Sequence, residues 1–188
     1  MNNIAFIDLE IDGRGKIVDA GAVKAGKSIH TSRIAEFVAF ISDADYLCGH
    51  NIIEHDYKYL KSFLPKDYAL IDTLYLSPLL FPRKPYHRLL KDDKLLSDEL
   101  NNPLNDALKA KELFEDEVNA FNNIDKRMQQ IYYELTASDI HFKGFFDQVG
   151  YSPDWRPFFL KKSTADSVKE VLAGKICANA DVNAAVKN

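Results

Sequence analysis

The chain has 188 residues, 46% of them hydrophobic and 28% charged, with a formal net charge of −4. That length supports one domain with at most a small appendage, burying about 70% of its unfolded surface. The negative balance argues against a generic nucleic-acid-coating protein, but not against a nuclease, because an acidic metal site lowers net charge by itself.

Residues 3–10, NIAFIDLE, are apolar until they end in two acids, the pattern of a buried strand with carboxylates at its tip. IDGRG is a turn, and residues 16–24 form a second strand, so the two make a hairpin. KSIHT is a short third strand, and 33–41 has helical spacing. DYLCGHN (45–51) is a strand running into a turn. Residues 52–64 form an amphipathic helix that Asn51 can cap, with Ile53, Tyr57, Leu60 and Leu64 along one side. YALIDTL (68–74) is a further strand ending in a polar turn. Residues 81–100 are basic and then acidic, with weak periodicity, and read as a loop with a short helix. In NNPLNDALKAKELF (101–114), Asn101 or Asn102 caps a helix whose first turn accepts Pro103. Residues 125–136, 139–149 and 164–173 are helical stretches, separated by the aromatic loop WRPFFLKK. Three strands followed by alternating helices and strands define an α/β fold with a mixed sheet. The division is a domain over 1–121 and a helical extension over 122–188, which reads as a linker region toward a longer protein.

Cys48 and Cys177 form neither a metal-ligand spacing nor a disulfide framework, which points to a reducing cytoplasm. The start of the chain lacks the pattern of a signal peptide, and no apolar run approaches membrane-spanning length.

Asp8 and Glu10 stand at i and i+2 on a strand and therefore share a face. Two carboxylates so placed repel one another unless a cation joins them, and such oxygen ligands suit Mg²⁺ or Mn²⁺. They also read as two solvated acids at a strand end. Asp56 follows Gly49, His50 and Asn51 into a helix, and Asp106 stands just inside the helix that Pro103 opens, where a carboxylate also favours the helix dipole.

The order of these stretches, a DxE strand, then GHNIIEHD, then an IDTL strand, then a helix opening NDA, resembles the DEDD family of 3′–5′ exonucleases over roughly residues 3–120. The whole chain is most similar to the exonuclease-type modules at the N-terminus of some RecQ-type helicases, although it contains no GxxxxGK[ST] phosphate loop. The resemblance implies a ribonuclease H-like fold and a site in which Asp8, Glu10, Asp56 and Asp106 hold two Mg²⁺ or Mn²⁺ ions. By the same resemblance Asp8 bridges the ions, Glu10 and Asp106 complete one site, and Asp56 acts through water or from the substrate side. The implied chemistry is two-metal hydrolysis of phosphodiesters at a nucleic-acid 3′ end, releasing nucleoside 5′-monophosphates. A helicase domain in a longer protein is an implied partner.

The resemblance breaks at the general base. One branch of the family keeps a His where this chain has Asn101, and the other a Tyr where it has Asn102; neither Asn takes up a proton at neutral pH. His87, in the basic segment PRKPYHRLL, is the first replacement candidate; it also reads as a surface histidine. His50 and His55 read as structural or substrate-facing. Arg83, Lys84, Arg88, Lys91 and Lys94 offer phosphate contacts, and Tyr86 offers a ring for a terminal base, in a loop that nearby acids also balance. Leu9 and Ile11 flank the acids as candidate wedges under that base, and His50 and Asn51 face the same place. Trp155 and its neighbours read as packing against the domain or as a partner contact. Two functions follow: a metal-dependent exonuclease acting on single-stranded 3′ ends of DNA or RNA, or a nucleic-acid-binding or assembly module that keeps the acids without the base.

Overall fold

A computed structural model describes residues 3–89 and 102–152, together with 166, 169, 170 and 173. Its elements are β1 (Ile4–Ile11), β2 (Ile17–Lys24), β3 (Lys27–Thr31), α1 (Ile34–Ile41), β4 (Tyr46–Gly49), α2 (Asp56–Leu60), β5 (Ala69–Asp72), α3 (Thr73–Leu80), α4 (Pro103–Asn123), α5 (Lys126–Thr136) and α6 (Ile140–Val149). The strands make one mixed sheet in the order β3-β2-β1-β4-β5. The first three pair antiparallel, whereas β4 and β5 are parallel to β1. This is the expected α/β architecture, a mixed sheet flanked by helices and followed by a helical region, and it is consistent with the ribonuclease H-like class. Among the described residues no helix is long and apolar enough to cross a membrane.

The two-residue period of β1 sorts its side chains between two cores. Ala5, Ile7 and Leu9 join Phe37, Ile41, Ile52 and Leu60 in one cluster. Phe6 joins Cys48, Ile71, Phe114, Phe121, Phe145 and Phe146 in the other. Asp8 and Glu10 continue the Phe6 face, the side on which α4 packs. Each fully buried Leu, Ile or Phe contributes roughly 1.5–3 kcal/mol, so the sheet is held from both faces. Helix α6 lies against β5 through Gly144, where a Cβ would stand 1.9 Å from the Leu70 carbonyl oxygen. The boundary drawn at 121/122 falls inside α4, and Phe121 of α4 meets Phe145 and Phe146 of α6 edge to face.

Two local readings change. The helix expected over 52–64 is shorter: α2 begins at Asp56 with His55 as its N-cap residue and no side-chain cap. Asn51 is not that cap; it turns the chain in the left-handed region at φ +69°, which Asn tolerates better than most residues. The strand expected to reach residue 74 stops at Asp72, whose carboxylate accepts the Leu74 N–H at 3.0 Å and so starts α3. The expected cap of α4 is Asn102, whose side-chain oxygen accepts from Leu104 and Asn105 N–H groups ahead of Pro103. The helical stretch at 164–173 lies mostly outside the described residues, as do WRPFFLKK, Asn101, Lys91 and Lys94.

Candidate metal centre

Three features bring the acids together. First, β1 carries Asp8 and Glu10 past its pairing with β4, which ends at Phe6. Second, the β1–β2 register shifts between Glu10 and Ile11, an irregularity at the strand end that carries the acids. Third, Gly21 of β2 stands opposite Asp8. A Cβ at Gly21 would lie 2.2 Å from the Leu104 nitrogen and 2.3 Å from the Pro103 carbonyl carbon. Only the absence of a side chain there lets the first turn of α4 rest on the sheet. Ala107 and Ala110, both buried, follow it with small side chains. Asp106 is thereby delivered to the strand tip, and carboxylate oxygens of Asp8, Glu10 and Asp106 all lie within 4.8 Å of one another. All three residues are half-buried.

Asp56 stands apart from that triad but lines the same cleft of about 660 Å³. It is 2% exposed, and its Oδ1 accepts the Leu9 N–H at 2.9 Å. This bond takes up a strand-tip N–H beyond the last β1–β4 pair. Burial pushes the Asp56 carboxyl up, while His55 and the Leu9 N–H pull it down. His55 Nδ1 lies 3.7 Å from Asp56 Oδ1, its ring meets Tyr59 edge-on, and it faces the cleft half-exposed. The neighbouring Asp56 carboxylate raises the imidazole pKa, against the opposing effect of burial.

Asp72 is the organising residue behind this motif. It is fully buried and accepts from three backbone N–H groups: Asn51 at 2.9 Å, Ile53 at 3.1 Å and Leu74 at 3.0 Å. The turn that presents Asn51 and leads to Asp56 therefore hangs on the end of β5. Burial pushes the Asp72 carboxyl up against those three bonds.

The expected substrate-facing residues divide. Ile11, His50, Asn51 and Arg88 line the acidic cleft. His50 is committed on both ring nitrogens. Since the Thr73 hydroxyl donates to the Gly49 carbonyl, His50 Nδ1 donates to Thr73 Oγ1 at 2.9 Å, and Nε2 accepts the Leu89 N–H at 3.2 Å. Burial pushes its pKa down to about 4, so the ring is neutral and acts as a latch on the 81–89 segment. Leu9 is only 3% exposed and belongs to the core. Leu9 still lines the acidic cleft, and its backbone N–H serves Asp56, while Ile11 is the more exposed of the two apolar residues that flank the acids. His87 and Tyr86 line a second cleft, and His87 Nδ1 is hydrogen-bonded to Ser77 Oγ at 2.9 Å. The structure thus groups Asp8, Leu9, Glu10, Asp56, Asp106, His50, Asn51, Ile11 and Arg88, and sets His87 and Tyr86 beside them.

Gly21 and Lys109 were not singled out from sequence. A glycine inside the apolar strand 16–24 is the one local sign of a close backbone approach. Lys109, three residues after Asp106, is on the same helix face. Three carboxylates from a strand end and a helix start, with a fourth in the same cleft, form a donor set suited to a hard divalent cation. Such an acidic cleft on a mixed α/β sheet is the class of site that the fold defines. No protein-family model matches the chain, and no curated protein matches it.

Proposed function

We propose that this chain is a metal-dependent 3′–5′ exonuclease of the DEDD type, hydrolysing phosphodiester bonds at nucleic-acid 3′ ends. The observation that carries this reading is the meeting of Asp8, Glu10 and Asp106 within 4.8 Å, in one cleft with Asp56. Asp8, Glu10 and Asp106, with Asp56 at the cleft wall, would hold Mg²⁺ or Mn²⁺. When bound, a pair of such ions supplies charge stabilisation for the attacking and leaving oxygens of an in-line displacement. The protein's own part is placement. Asp56 pins the strand tip through Leu9, Asp72 pins the turn that carries Asn51, and Gly21 seats the helix that carries Asp106.

One observation favours a second reading, a module that binds nucleic-acid ends without cutting them. Asn102 spends its side chain capping α4, so it does no proton transfer. The two readings part on one assay: release of 5′-mononucleotides from a 5′-labelled single strand, DNA or RNA, in Mn²⁺ or Mg²⁺ across about pH 7–9. The exonuclease reading expects stepwise shortening from the 3′ end, abolished in Asp8→Ala. No shortening of either polymer under any of these conditions refutes it and leaves the binding module.

A further inference from the structure

We propose that the second cleft, beside the acidic one, is a phosphate-binding subsite for the nucleic-acid strand, with Lys109 and Lys84 as its anchoring cations. Naming the occupant as a nucleic-acid strand rests on the nuclease reading above.

The cleft has a volume of about 480 Å³ and is bounded by the 84–89 segment on one side and by α3 and α4 on the other. Of its nine lining residues three are cationic, Lys84, Arg88 and Lys109, and none is acidic among the described residues. In a chain of net charge −4, immediately beside four carboxylates, that is a sharp reversal of sign. Arg88 and Leu89 line both clefts, so the two are continuous. A polyanion crossing from one to the other meets cations in the second cleft, and in the first carboxylates that could hold a metal ion.

Lys109 has its place because α4 repeats every 3.6 residues. Three positions after Asp106 it points the same way, with its side chain 25% exposed and Nζ 3.9 Å from Asp106 Oδ1. It therefore lines the second cleft while its ammonium stands beside Asp106 of the acidic triad, at the border between the two. Tyr86, 77% exposed at the rim, presents an open ring face on which a base can stack. The Ser77–His87 hydrogen bond and the His50–Leu89 bond hold the segment that carries Lys84 and Arg88. His87 on this reading is a wall of the phosphate subsite.

The test is fluorescence anisotropy of a 5′-labelled oligo(dT) strand on the full chain in EDTA, where no divalent ion contributes, over a series of NaCl concentrations. Each lost phosphate contact lowers the magnitude of the log K–log[salt] slope by about 0.7 for a single strand. Lys109→Gln and Lys84→Gln should each weaken binding about fivefold and lower the slope by that amount. Lys109→Arg should restore it, and Lys27→Gln, on the exposed strand β3, should change nothing. Should Lys109→Gln fold poorly, Lys84→Gln carries the test from the loop side. Native-like affinity and slope in both Gln variants, or no binding by the native chain, overturns the subsite. Digestion in Mn²⁺ that proceeds while both variants bind normally also overturns the subsite but leaves the exonuclease reading intact. Lys-dependent binding with no digestion supports the subsite and refutes the exonuclease reading.

Discussion

Gly21→Ala is the sharpest perturbation the structure offers. The new Cβ would stand 2.2 Å from the Leu104 nitrogen, 2.3 Å from the Pro103 carbonyl carbon and 2.5 Å from the Leu104 Cα. All three are backbone atoms and cannot rotate away. Ordinary non-bonded contact is about 3.5 Å, so the start of α4 must retreat by about 1 Å or more. Overpacking of this kind costs about 1–3 kcal/mol, and the upper end applies where no side chain can yield. For a chain of this size that lowers Tm by about 6–12 °C. The same retreat withdraws Asp106 from Asp8 and Glu10. Mg²⁺ demands near-ideal ligand positions at about 2.1 Å, and a misplacement of about 1 Å can cost about 100-fold in rate. The assay is thermal unfolding with and without Mn²⁺, since a ligand at about 100 times its Kd stabilises by about 2.7 kcal/mol. The native chain should show a Mn²⁺-dependent rise in Tm; Gly21→Ala should start lower and lose most of that rise. A Tm within about 1 °C of native, together with an undiminished Mn²⁺ increment, would refute the seating argument.

Asp72→Ala should cost about 3 kcal/mol or more in urea unfolding, because it strands three backbone N–H groups in a buried place. It should also lower strand cleavage, through the loosened Asn51 turn, although Asp72 is outside the metal triad. Glu117, fully buried on α4 with no hydrogen-bond partner for either carboxyl oxygen among the described residues, is pushed up to about 9 by burial and by nearby Asp72. From pH 4.5 upward the unfolded chain releases a proton that the folded chain keeps. Stability therefore falls as pH rises toward about 9, by at most about 1.4 kcal/mol per pH unit. Glu117→Gln should flatten that slope and exceed native stability by about 2 kcal/mol at about pH 8, measured by urea unfolding at several pH values; an unchanged slope would show that Glu117 does not titrate in this window.

Much of the site is legible in the amino-acid sequence. The apolar run that ends in Asp8 and Glu10, the cap-and-proline opening of α4, and the turn after Gly49 are local signals, because strand period, helix caps and turn residues act within a few positions of one another. These signals placed four acids at element ends, and four acids line one cleft. The helix expected over 52–64 is shorter in the structure, and α3 has no counterpart among the expected elements, for a related reason. Asp72 ends the strand and caps the helix by turning its carboxylate onto N–H groups from two segments, and only one of those segments is near it in sequence.

The sequence by itself determined the five strands, the helices α1, α4, α5 and α6, the face that Asp8 and Glu10 share, and the charge of each segment, since these follow from periodicity and composition. Only the tertiary structure decided that Gly21 seats Asp106, that the Leu9 N–H is taken up by Asp56, and that His87 faces a basic cleft while His55 faces the acidic one. The physical reason is that these depend on close contacts between residues tens of positions apart. A missing Cβ, a strand-tip N–H or the direction of an imidazole takes its meaning from what packs against it, and no local pattern encodes that neighbour.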